Sequence, residues 1–234
     1  MSWFIFLFAC AGRSVPPEAA TASSQDISRI HMAEHLARAT VVRDAVVRGD
    51  FDTARVGFQW LAAHEEDESL PREGLGWVGM LRVHAAEGAT SESIEEQAAA
   101  LGALANTCGG CHETLSMGPL LPELPAPAPT QLSGLGLHMA QHSWASDRMW
   151  AALVEPSSAA WERSLRVLGE VTMTAAEQDE WGLVAGSEAL DGEVHRLAYS
   201  AMADDNPDTR ADLYGQIVAQ CATCHRASRG QPPL

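Results

Sequence analysis

The sequence is poor in basic residues. Fifteen Lys and Arg stand against 31 Asp and Glu in 234 residues, a formal net charge of −16. The cations are spread thinly and form no cluster, which argues against nucleic acid as a partner. An acidic surface instead aids solubility and favours proteins with basic patches. Cysteine is scarce too. Four of the five cysteines sit in two short motifs, so none remain for a disulfide framework. No alternating apolar pattern competes for strands. The apolar run from Trp3 to Ala9 is too short to span a bilayer. What is present suffices for a core: 46% of residues are hydrophobic and 20% are charged. The length fits one or two domains.

The start reads as a trimmed signal peptide without its basic n-region. Leu7-Phe8-Ala9-Cys10 is similar to a bacterial lipobox, which would put a lipid on Cys10. Alternatively Ala9-Cys10-Ala11 is an A-x-A cleavage site and Cys10 is lost. Residues 1–24 are therefore assigned to a signal or lipobox and a flexible, small-residue tether.

The chain is written twice. HMAEH at His31 to His35 recurs as HMAQH at His138 to His142, an offset of 107 residues. CGGCH at Cys108, Cys111 and His112 recurs as CATCH at Cys221, Cys224 and His225, an offset of 113. Each half opens with HMAxH and closes with CxxCH, as internal repeats do. A Pro-rich stretch, 119–132, reads as a semi-rigid linker between halves at 25–118 and 133–234.

Both halves read as helices. The first helix starts near Ser24 or Asp26 and stops at Gly49. Asp50 caps a second, and a third covers REGLGWVGMLRVHAAE. Ser93 and Glu96 form a capping box for the last, which arrives at Cys108. In the second half Ser133 opens a helix and Pro156 ends it. Segments follow around AAWERSLRVLGE and from the Thr174–Glu177 capping box. Asn206-Pro207 starts the last helix, with Pro at its first position. Four helices per half suit an antiparallel bundle.

CxxCH is the attachment signature of c-type haem. Two thiols add to the porphyrin as thioethers, and the adjacent His is the proximal iron ligand. A thioredoxin-like CxxC needs a β-α-β context, which is absent, and a zinc site would have to recruit a distant fourth ligand. Two copies, each closing a matching half, point to two haem c groups held by Cys108, Cys111, Cys221 and Cys224, with His112 and His225 proximal. After Cys224 only ten residues remain. They cannot wrap over a haem, so the distal face must be covered by chain that precedes the motif.

In this respect the sequence resembles the class II c-type cytochromes, the cytochrome c-prime family. The resemblance rests on the late CxxCH and the helix count. It implies an all-α fold of two tandem four-helix bundles, each with haem near the carboxyl end of its last helix. It places the distal position on the first helix, near HMAxH. It also implies that the tandem mimics a dimer within one chain.

The first helix carries a core stripe at Met32, His35, Ala39, Val42 and Val46, matched by Met139, His142, Ser146, Met149 and Leu153. A buried imidazole needs a partner, and iron is the obvious one. His35 and His142 are the first choice for distal ligands, with Met32 and Met139 as alternatives. Plain core packing is the other role open to these methionines. An open iron is a third possibility. His31 and His138 lie towards the helix edge, while His64, His84 and His195 do not repeat and read as surface or core residues. The tryptophans read as packing around helices and haem.

The expected function is electron transfer in the periplasm, on a membrane if Cys10 is lipidated, with redox proteins bearing basic docking surfaces as partners. No catalytic set is apparent beside either haem. Binding or sensing of NO or CO is the alternative, and a peroxidase-type enzyme a weaker one.

Overall fold

The computed structural model describes residues 24–64, 70–117, 125–128, 133–170, 172–202 and 204–230. The proposed lipid site Cys10, its tether and most of the Pro-rich linker lie outside them. The described residues form nine α-helices and one short 3-10 turn, with no strand. No helix among them is long and apolar enough to cross a membrane.

Local chemistry explains most helix ends. Helix α1 (Ser24–Val47) ends where Gly49 turns left-handed at φ +65°. There the Gly49 N–H donates to Val46 O and the Asp50 N–H to Ala45 O, closing off two carbonyls of the last turn. Asp50 then accepts from the Thr53 N–H to open α2 (Phe51–Ala63). The 3-10 turn Arg72–Gly74 leads into α3 (Leu75–Thr90). The reciprocal Ser93–Glu96 box opens α4 (Ile94–Thr114). Helix α5 (Gly134–Val154) stops before Pro156, and Ser157 caps α6 (Ser158–Gly169).

The following stretch differs from expectation. The Thr174–Glu177 box opens only the six-residue α7 (Ala175–Glu180). Gly182 (φ +65°) and Gly186 (φ +92°) bracket the break before α8 (Ser187–Ala201). The second half thus has five helices, not four. Asn206 accepts from the Asp208 and Thr209 N–H groups and starts α9 (Pro207–Ser228).

Helix α1 packs on α2, α2 on α3 and α3 on α4, while α1 also touches α4. In the second half α5 packs on α6, α6 on α8 and α8 on α9, while α5 also touches α9. The halves meet broadly along α4 and α9, and α4 touches α5 as α1 touches α9. Glycine permits the central crossing. A Cβ on Gly102 would lie 2.2 Å from Ala211 O, and one on Gly215 would lie 2.9 Å from Ala98 O. The repeat offset of 113 residues maps Ala98 onto Ala211 and Gly102 onto Gly215. The crossing is therefore a local two-fold, each half offering the same glycine to the same alanine of the other. Side-chain ties reinforce it, from Arg43 to Asp147 at 3.2 Å and from Asn106 to Asp208 at 2.7 Å.

Candidate functional site

The burial of α1 follows its sequence stripe: His35, Ala39, Val42 and Val46 are buried. On α5 Ser146, Met149 and Leu153 are buried, and His142 partly so. Met32 and Met139 are only half-buried. The edge position expected for His31 and His138 is not found. They are 8% and 3% exposed, because each ring lies over its partner one turn on, at 4.3 and 4.2 Å between centroids.

In the second half a cavity of about 370 Å³ is lined by His138, Met139 and His142 from α5, Asp191 from α8, and Cys221, Cys224 and His225 from α9. Arg43 and Val47 of α1 also line it. The HMAQH and CATCH motifs thus share one cavity. Asp191 organises the imidazoles. Its Oδ1 accepts from His138 Nε2 at 2.9 Å and lies 3.4 Å from His195 Nε2 and 3.6 Å from His142 Nε2. Its Oδ2 accepts from the Met173 N–H at 2.7 Å. Burial would raise the Asp191 carboxyl, but His138, His195 and the Met173 N–H together outweigh it and hold the group well below the usual range. His142 is pushed down to about 3, first by burial and then by His138, with Asp191 opposing. It is therefore neutral, and its buried Nε2 has no hydrogen-bond partner.

Asp191→Asn should lower the unfolding free energy by about 2 kcal/mol, the size of a buried hydrogen bond to a charged group. Urea unfolding measures this; a change within about 0.5 kcal/mol would show that the carboxylate does not hold this cluster.

In the first half His31, His35 and His64 bring one ring nitrogen each within 4.8 Å of one another. His64 stacks on Trp60 at 4.1 Å, and Arg38 lies over that indole. His35 is pushed down to about 4 by burial, then by His31 and His64, and its buried Nε2 has no hydrogen-bond partner. His64 and His195, read from the sequence as surface or core residues, thus stand in the clusters. Non-repetition hid them: one caps α2 and the other comes from α8. His84, by contrast, is half-buried away from both clusters and pairs with Glu87.

The CxxCH residues stand late on α4 and α9. His112 Nδ1 lies 2.8 Å from Val154 O, and His225 Nδ1 lies 2.8 Å from Val47 O. A carbonyl only accepts, so each Nδ1 carries a proton, and in the neutral ring Nε2 keeps its lone pair. The thiols are not poised as thiolates. Burial pushes Cys108 and Cys221 up to about 12 and raises Cys111 and Cys224. A redox CxxC would show a lowered thiol instead. Packing accounts for the small residues inside CGGCH. A Cβ on Gly109 would meet Leu153 O at 2.1 Å, and one on Gly110 would meet the Trp77 ring at 2.3 Å.

The donor set suits an iron porphyrin: an imidazole with its Nδ1–H fixed on a carbonyl on one helix, an imidazole with an unpartnered Nε2 on another, and two protonated thiols. Each three-residue cluster also has the spacing to hold a bare metal ion: His31, His35 and His64, or His138, His142 and Asp191. No family model, curated protein or solved structure matches the chain.

Proposed function

We propose that the chain is a dihaem c-type cytochrome that transfers electrons outside the cytoplasmic membrane. Its two halves act as tandem haem bundles similar to class II cytochromes c. The observation that carries this reading is the shared cavity of the second half, where His138, Met139 and His142 face Cys221, Cys224 and His225. Its volume lies within the range of about 300–1,000 Å³ usual for cofactor sites. Bound haem would supply a one-electron iron couple. The chain's own residues do the rest. Cys108, Cys111, Cys221 and Cys224 form the thioethers, while His112 and His225 present Nε2 with Nδ1 fixed on a carbonyl. His35 and His142 present a neutral distal nitrogen, and Asp191 holds the second cluster in orientation. The net charge of −16 favours a redox partner with a basic docking face.

The reading is tested on protein matured with haem. Intact mass should show two covalent haems. After dithionite reduction the spectrum should show sharp low-spin bands that CO leaves unaltered. Fast and complete CO binding at both haems would overturn electron transfer in favour of gas binding. Absence of covalent haem would overturn the whole reading.

A further inference from the structure

The two proximal hydrogen bonds cross between the halves. His225 belongs to the second half, but its acceptor Val47 ends α1 of the first. His112 belongs to the first half, but its acceptor Val154 ends α5 of the second. The acceptors are equivalent, since the offset of 107 residues that relates the HMAxH motifs also maps Val47 onto Val154. The donors are related by the CxxCH offset of 113. The same bond is thus made twice, each time from the opposite half.

The ends of α1 and α5 are built to leave these carbonyls available. At α1 the turn uses Ala45 O and Val46 O and leaves Val47 O for His225. At α5 the Glu155 N–H takes Ala151 O, the Ser157 N–H takes Ala152 O, and Pro156 has no N–H to offer. These carbonyls lie at the negative ends of helices, where an imidazole N–H is a favourable donor. On α1 the next two carbonyls are also held by α9: Arg229 donates to Arg48 O, and Arg226 Nη1 donates to Gly49 O at 3.2 Å. The CxxCH offset places Glu113 and Ser116 where these arginines would stand in the first half. Val47 stands twelve positions after His35, and Val154 twelve after His142. Each first helix therefore runs roughly 18 Å from its own half's distal position to the other half's proximal one.

We propose that each proximal imidazole is positioned by the other half, so that the end of α1 tunes the haem on Cys221 and Cys224, and the end of α5 tunes the haem on Cys108 and Cys111. This rests on the dihaem reading. A carbonyl that accepts from Nδ1–H makes the imidazole a stronger donor at Nε2 and lowers the potential of the iron it binds. Val47 and Val154 are positioning residues, acting through their backbone.

Gly49→Ala on the full, haem-loaded chain is the test. The added Cβ would lie 2.5 Å from Arg226 Cγ and 2.9 Å from Ala222 O, at a left-handed φ, so it should push the end of α1 off α9. The expected result is a rise in the potential of the His225 haem, with the His112 haem unchanged. NMR signals assigned to each haem would distinguish them. A shift confined to the His112 haem, or none at either, would overturn the proposal. A second measurement does not depend on the variant folding. In the reduced wild-type protein the His225 Nδ1–H should show nuclear Overhauser contacts to Val47 and Arg48, and the His112 Nδ1–H to Val154 and Glu155. Rapid solvent exchange of both protons, without those contacts, would overturn it. A mass lacking haem would instead remove the reading on which the proposal rests.

Discussion

On the proposed dihaem reading, replacing His142 with alanine should turn the haem on Cys221 and Cys224 from low spin to high spin and open it to CO, while Met139→Ala leaves it low spin. The second-half cluster offers three candidates from HMAQH, and the geometry separates them. His138 has its Nε2 on Asp191 at 2.9 Å and so keeps only its Nδ1, also buried and unpartnered, while the bond to Asp191 fixes the ring. Met139 lines the cavity but is only half-buried, as side chains at the rim of a core are. His142 is neutral because burial pushes it down to about 3, and its Nε2 is buried without a hydrogen-bond partner. A buried imidazole nitrogen left without a partner is costly, and binding iron removes that cost. His35 is the matching residue of the first half, and His35→Ala should act on the other haem alone. Absorption and electron paramagnetic resonance of the oxidised protein read the spin state. High spin produced by Met139→Ala, with His142→Ala still low spin, would move the axial ligand to the thioether.

The largest loss of stability is expected at the crossing of α4 and α9. Gly102→Val should lower the unfolding free energy by about 3 kcal/mol, at the upper end of what overpacking costs. The reason is that backbone meets backbone there. The first added carbon would lie 2.2 Å from Ala211 O, and no flexible side chain can give way. Gly215→Val should behave alike, with its Cβ 2.9 Å from Ala98 O. Gly76 and Gly79 of α3 are the controls. A Cβ there meets nothing within 4 Å, so Gly→Ala at either should stabilise by about 0.5–1 kcal/mol. Urea midpoints of the four variants decide the matter. Equal stability of Gly102→Val and the wild type would mean that the halves do not need this close approach. If the crossing does hold the halves together, loosening it should also expose the His112 and His225 Nδ1–H protons to solvent.

Helix boundaries were legible where the chemistry is local. Ser93 with Glu96, Asp50 with Thr53, and Asn206 before Pro207 are contacts within a few residues, so the order of letters determines them. Gly49 is similar, because only its own left-handed φ is needed to end α1. Local chemistry also misled once. The Thr174–Glu177 box is real, but it opens only a six-residue helix, and the fresh helix at Ser187 is marked by the left-handed Gly186 alone, with no side-chain cap.

The site divides in the same way. The sequence by itself determined the helical class, the four motif cysteines, the two motif histidines and the inward stripe that carries His35 and His142. Those follow from spacing along one helix, where 3.6 residues per turn dictate which side chains share a face. Only the tertiary structure decided that His64, His195 and Asp191 join the clusters, since each arrives from another helix with no matching residue in the other half. Only the tertiary structure, likewise, decided that the partners of His112 and His225 lie in opposite halves. Those acceptors are backbone carbonyls, which every residue has, so no letter marks them. They are set by how α9 meets the end of α1 and α4 the end of α5.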